Sequence, residues 1–154
     1  AKIRASYIKQ YLHQHSLHVN SILEIEIDTS NKGDPITTLD QNGVVMGDQH
    51  YDSSFIISPM GEISQWALDK FEDLTIEDFR RFESHNPEFV ILGTGRTHCF
   101  PTPDLYRPLI ESNIGLECMS TAAACRTYNL ISNDGRDITL AVIIQDQSQD
   151  LNEA

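Results

Sequence analysis

The chain has 154 residues, 40% of them hydrophobic, and a formal net charge of −12. That length supports one domain with its own core, and so acidic a chain repels a nucleic-acid backbone and an anionic membrane surface. No apolar run approaches the ~20 residues that cross a bilayer. Ala1-Lys2-Ile3-Arg4 lacks the apolar stretch of a secretory signal. The three cysteines, Cys99, Cys118 and Cys125, form no paired spacing, and neither CxxC nor HExxH occurs. Free thiols, a reducing cytoplasmic setting, no structural zinc and no bound metal are expected.

Residues 1–20 read as a polar extension. His13, His15 and His18 lie close together but offer no i,i+4 pair, and a metal site is the lesser reading. Leu23, Ile25 and Ile27 alternate with Glu24, Glu26 and Asp28, the pattern of a half-buried strand. Lys32-Gly33-Asp34-Pro35 reads as a turn. Asn42-Gly43 before Val44-Val45-Met46 is a hairpin signal, because both central residues of a type I′ turn need positive φ. Phe55-Ile56-Ile57 reads as a further strand, stopped by Pro59 and Gly61. The N-terminal half is thus expected to be a small β layer.

Trp66 is read as packing. Thr75 is the expected cap of a helix, with Glu77 and Asp78 in the first turn and Leu74 and Phe79 at the spacing of a hydrophobic staple. Asn86-Pro87 ends that helix. Phe89-Val90-Ile91-Leu92 is a continuous apolar run, as in a strand covered on both faces. Pro101-Thr102-Pro103 predicts the next helix start, which leaves Pro108 as a misfit inside it. Asn113 is expected to close that helix in the left-handed conformation. Leu116 and Cys118 alternate with Glu117 and Met119 in another strand. Thr121 is the expected cap of a helix that ends near Asn133-Asp134-Gly135. Residues 138–144 form the last core strand, and 145–154 an acidic disordered tail. The resulting expectation is a small three-layer α/β domain over residues 21–144. It has a central mixed or parallel sheet, βαβαβ order in its C-terminal half, and an N-terminal β-hairpin layer.

Two segments stand out, and each follows an apolar strand. Parallel strands end along one edge, so the two segments are expected to meet in a crevice there. Gly93-Thr94-Gly95-Arg96 resembles a dinucleotide fingerprint, but His98 replaces its third glycine and the helix starts late. No nucleotide cofactor is therefore expected. Ser120 to Asn129 reads Ser-Thr-Ala-Ala-Ala-Cys-Arg-Thr-Tyr-Asn. Cys125 near a helix start, beside Arg126, could be an activated thiol, but no base is placed for it, and a buried structural cysteine is the preferred reading. Arg96 and Arg126 could clamp a small anion, or each could brace its own loop. Tyr128 falls on the core face with Ala124 and Ile131, and Asn129 is a candidate loop fastener. The candidate crevice comprises Gly93, Thr94, Gly95, Arg96, Thr121, Cys125, Arg126 and Thr127.

The motifs also form a set: Phe89-Val90-Ile91-Leu92-Gly93-Thr94-Gly95, Phe100-Pro101, Ile114-Gly115-Leu116-Glu117-Cys118-Met119, Ala123-Ala124-Cys125-Arg126-Thr127-Tyr128-Asn129 and Gly135-Arg136. In this order they resemble a widespread family of small domains of unknown function. Its eukaryotic members include mitochondrial complex I assembly factor three and an adipogenesis-associated protein. The resemblance implies a compact three-layer α/β domain and, for the mitochondrial member, work through protein contacts. It carries over no catalytic residue and no cofactor. Two function classes follow: a non-catalytic interaction or assembly-type module with a protein partner, or a small-anion or metabolite binder or enzyme at the crevice. A homo-oligomeric scaffold is a third option.

Overall fold

The computed structural model describes residues 34–40 and 43–145. The histidine cluster, the strand expected over 23–27 and the acidic tail beyond Gln145 lie outside the described residues. The described chain begins with strands β1 (Ile36–Asp40), β2 (Gly43–Met46) and β3 (Gln49–Tyr51), paired antiparallel in that order. The hairpin is present, but not with Asn42 and Gly43 as its two central residues. Asp40 faces Gly43, so Gly43 already belongs to β2. Its φ of +139° and its closeness to the Tyr51 carbonyl explain the glycine: a Cβ there would lie 2.1 Å from that oxygen.

Strands β4 (Phe55–Ile57) and β5 (Ile63–Gln65) do not join this layer, contrary to the expected N-terminal β unit. They extend the main sheet, whose order is β5-β4-β8-β6-β7, with β6 at Phe89–Gly93, β7 at Gly115–Met119 and β8 at Ile138–Val142. β6 runs parallel to both β7 and β8, and β4 runs antiparallel to β8. The mixed sheet is the one expected; the reach of its antiparallel half is the addition.

Strand parity divides the core into two faces. Ile57, Ile91, Leu140 and Val142 pack with Ala124, Cys125 and Tyr128 of helix α3 (Thr121–Ser132) and with Val44 and Met46 of the small sheet. Ile56, Val90, Leu92, Ala141 and Ile143 pack on the other face with Phe79 and Phe82 of helix α1 (Ile76–Ser84) and Leu109 of helix α2 (Arg107–Glu111). Burial on both sides is why these strands read as unbroken apolar runs.

Helix α1 starts as its sequence predicts. The Asp78 carboxylate accepts the Thr75 backbone N–H and hydroxyl, each at 2.9 Å, while Leu74 and Phe79 are buried together. The same carboxylate accepts the Trp66 indole N–H at 2.8 Å, and the buried indole meets the Phe82 ring edge-on. Trp66 therefore packs the core and ties the β5 exit to the helix cap.

Two helix starts differ from expectation. α2 begins at Arg107, not at Pro101-Thr102-Pro103, and residues 103–105 form a turn closed by Leu105 N–H on Thr102 O at 2.9 Å. Pro108 thereby sits in the first helical turn, where its missing N–H needs no intrahelical partner. The misfit disappears because the helix starts late enough to accommodate it. Asn113 takes φ +56° after α2, as expected. α3 is capped by Ser120, whose hydroxyl accepts the Ala123 N–H at 3.3 Å, and not by Thr121.

Candidate functional site

The displaced cap frees Thr121 for another task. Its hydroxyl donates to the Ile143 carbonyl at 2.7 Å and accepts the Gly95 N–H at 3.0 Å. Its own N–H reaches back to the Gly95 carbonyl at 2.8 Å, and Ile143 N–H donates to Gly93 O at 2.9 Å. One buried hydroxyl thus links the ends of β6 and β8 to the first turn of α3. Gly93 lets the elements approach this closely, since a Cβ would stand 3.0 Å from Thr121 Cα and 3.1 Å from Ala124 Cβ. Thr94 completes the joint. Its N–H donates to Met119 O at 2.8 Å, and its hydroxyl sits 2.6 Å from Thr97 O and accepts the Cys99 N–H at 3.1 Å.

The structure therefore brings Gly93, Thr94, Gly95 and Thr121 together, and all four are buried. Arg96 is exposed just beyond the loop. Cys125 belongs to the core, where burial pushes its thiol up to about 12 against the opposing pull of the Arg126 charge. Burial there opposes formation of the thiolate that a nucleophile needs. Arg126 is exposed and Thr127 half-buried; no hydrogen bond or ion pair ties either to the glycine loop among the described residues. Two further arginines brace their own surroundings: Arg107 pairs with Asp104, while Arg136 pairs with Glu88 at 3.4 Å and lies over the Phe89 ring. Asn129 is a fastener in the full sense. Its amide accepts the Ile36 N–H at 2.9 Å and donates to the Ile36 carbonyl at 2.6 Å, holding β1 on α3.

A second feature escaped the sequence reading. Phe100, Pro101, Tyr106, Ile110, Ile114, Leu116 and Cys118 line an open groove of about 280 Å³ beside β7, its exposed lining polar and apolar in about equal measure. Phe100 is 71% exposed and Ile110 56%, unusual for large apolar side chains. The signal lay in Phe100-Pro101 directly after a polar loop, and in the alternation of Leu116 and Cys118 with Glu117.

A mixed sheet between one long helix and a helical pair, with a three-stranded sheet beside the long helix, defines the class. The solution structure of a Bordetella pertussis protein described as a Mth938-like domain has this fold. It matches with a TM-score of 0.69 at 21% identity, over 81% of this chain and 94% of that one. The chain belongs to the family described as "Protein of unknown function (DUF498/DUF598)", whose model matches residues 36–143. Over 84 residues it is 32% identical to the Bos taurus protein named NADH dehydrogenase [ubiquinone] 1 alpha subcomplex assembly factor 3, covering 53% of this chain and 45% of that one. Over 58 residues it is 29% identical to the "13 kDa major membrane protein" of Francisella tularensis, covering 38% of this chain and 47% of that one. The chain thus spans about half the length of the curated relatives it matches. No helix among the described residues is long and apolar enough to cross a membrane.

Proposed function

We propose that this domain is a non-catalytic interaction module of the assembly-factor type, working in the cytoplasm through contact with a protein partner. The observation that carries the reading is the closed joint. The loop segments that look most like a ligand cradle spend their donors on the protein itself: Gly95 N–H on Thr121, Thr94 N–H on Met119. An anion held by backbone N–H groups needs those donors free. The likeness to an assembly factor gives independent support, as does the large apolar surface left exposed by Phe100 and Ile110.

The test is capture of partners from native extract on the immobilised full chain, quantified against an unrelated acidic protein. The reading predicts a reproducible, saturable protein partner. It fails if no protein is retained while phosphate, sulfate or a carboxylate metabolite raises the melting temperature. A ligand bound only by the folded state must raise it. That outcome would favour the alternative, a small-anion or metabolite site built on Gly93, Thr94, Gly95, Arg96, Thr121, Cys125, Arg126 and Thr127.

A further inference from the structure

Among the described residues the five-stranded sheet ends at β7, whose one partner strand there is β6. Gly115 N–H donates to Glu88 O at 3.3 Å, and Met119 O accepts the Thr94 N–H at 2.8 Å. Those bonds fix the parity of the strand: Gly115, Glu117 and Met119 turn their backbone groups toward β6. The N–H and C=O groups of Leu116 and Cys118 therefore point outward, along an edge that can receive another strand. The same two residues line the groove, together with the exposed apolar side chains of Phe100 and Ile110. Glu117 projects to the opposite face and is exposed.

Charge decides which occupant fits. In an antiparallel pairing onto this edge, Leu116 and Cys118 are the hydrogen-bonded positions and Glu117 is the close, non-hydrogen-bonded one. A second copy paired about the central residue of this edge would set Glu117 directly against Glu117, where like charges are destabilising, and in any register two chains of net charge −12 repel. A lysine or arginine opposite Glu117 is favourable. Its two neighbours on the added strand would then fall on the groove side, where apolar side chains are wanted. Glu111, exposed at the end of α2, adds further negative charge on the side of the groove. The net charge of −12 steers basic partners toward the chain.

We infer that the β7 edge binds an extended segment of a partner protein that carries lysine or arginine between two apolar residues. The inference rests on the protein-partner reading above and gives that partner a place and a chemistry. Main-chain bonds to Leu116 and Cys118 supply affinity, and the groove and Glu117 supply specificity.

The test titrates the ¹⁵N-labelled full chain with the peptide acetyl-Thr-Val-Lys-Val-Thr-amide, and with the same peptide bearing Glu in place of Lys. The lysine peptide is expected to shift the Leu116 and Cys118 amides saturably and to bind several-fold, about 2- to 30-fold, more tightly. Glu117→Lys should reverse the order. Cys118→Pro removes one outward N–H, leaves the ladder to β6 intact, and should abolish binding. Equal affinity for the two peptides, or a Glu117→Lys chain with unchanged preference, overturns the inference. A concentration-dependent dimer that binds neither peptide also overturns it, because the edge would then belong to a second copy. The parent reading fails separately. If the chain captures a protein partner and both variants keep it, only the edge assignment falls; if wild type captures none, the interaction reading falls.

Discussion

Replacing Thr121 with valine removes one buried hydroxyl and almost no volume. In the native joint that hydroxyl donates to Ile143 O at 2.7 Å and accepts the Gly95 N–H at 3.0 Å. Valine leaves the Gly95 N–H in a buried setting without that acceptor and takes one donor from Ile143 O. A buried polar group stripped of its partner costs about 1–3 kcal/mol, so the substitution should destabilise by about 2–4 kcal/mol. At roughly 2–4 °C per kcal/mol for a chain of this size, Tm should fall by roughly 4–16 °C. Urea denaturation followed by circular dichroism is the assay, with the midpoint lowered and the slope unchanged. Thr121→Ser keeps the hydroxyl and should stay within about 1 kcal/mol of wild type. A valine variant within about 0.5 kcal/mol of wild type would refute the claim that this hydroxyl holds the joint.

Gly93→Ala should destabilise by about 1–3 kcal/mol, read in the same urea series, because its Cβ meets the Thr121 backbone at 3.0 Å. Asp78→Ala removes the acceptor shared by Thr75 and Trp66, and a loss of about 1–2 kcal/mol with altered Trp66 fluorescence is expected. Burial raises the Cys125 thiol from 9.0 to about 12 and the Cys118 thiol to about 11. The folded state therefore holds these protons longer than the unfolded state. Their contribution is full below pH 9 and is lost as pH rises toward 12. Stability measured against pH should decline over that window, with a shallower decline in Cys125→Ala. Cys125 should also resist a thiol reagent at pH 8 until the chain is unfolded.

Much of the architecture was legible because it rests on local signals. The unbroken run at Phe89-Val90-Ile91-Leu92 announced a strand covered twice, and Leu74, Thr75 and Phe79 announced α1. Asn113 announced its own left-handed turn. What was hidden depends on tertiary partners. Whether β4 joins the small sheet or the large one is decided by its pairing with β8, some 85 positions away, as in Phe55 opposite Val142. Ser120 and Thr121 are equivalent caps on paper; the carbonyl of Ile143 recruits one and leaves the other to cap. Pro101 and Pro103 carry the local signal of a helix start, yet the helix begins at Arg107 with Pro108 in its first turn. The meeting of the two loops followed from parallel strand ends, but proximity alone could not reveal that they meet as a sealed joint. The edge position of β7 among the described strands was invisible because strand order is not written in one strand's residues.

The most direct measurement is a titration of the ¹⁵N-labelled chain with inorganic phosphate, following the amides of Thr94, Gly95, Arg96, Thr121 and Arg126. A sealed joint predicts no saturable shift at any of them up to tens of millimolar phosphate, roughly a hundredfold above a working affinity for a metabolite. Saturable movement of the Gly95 and Thr121 amides together would mean that the joint opens to take an anion, and the account of these loops as internal structure would be wrong.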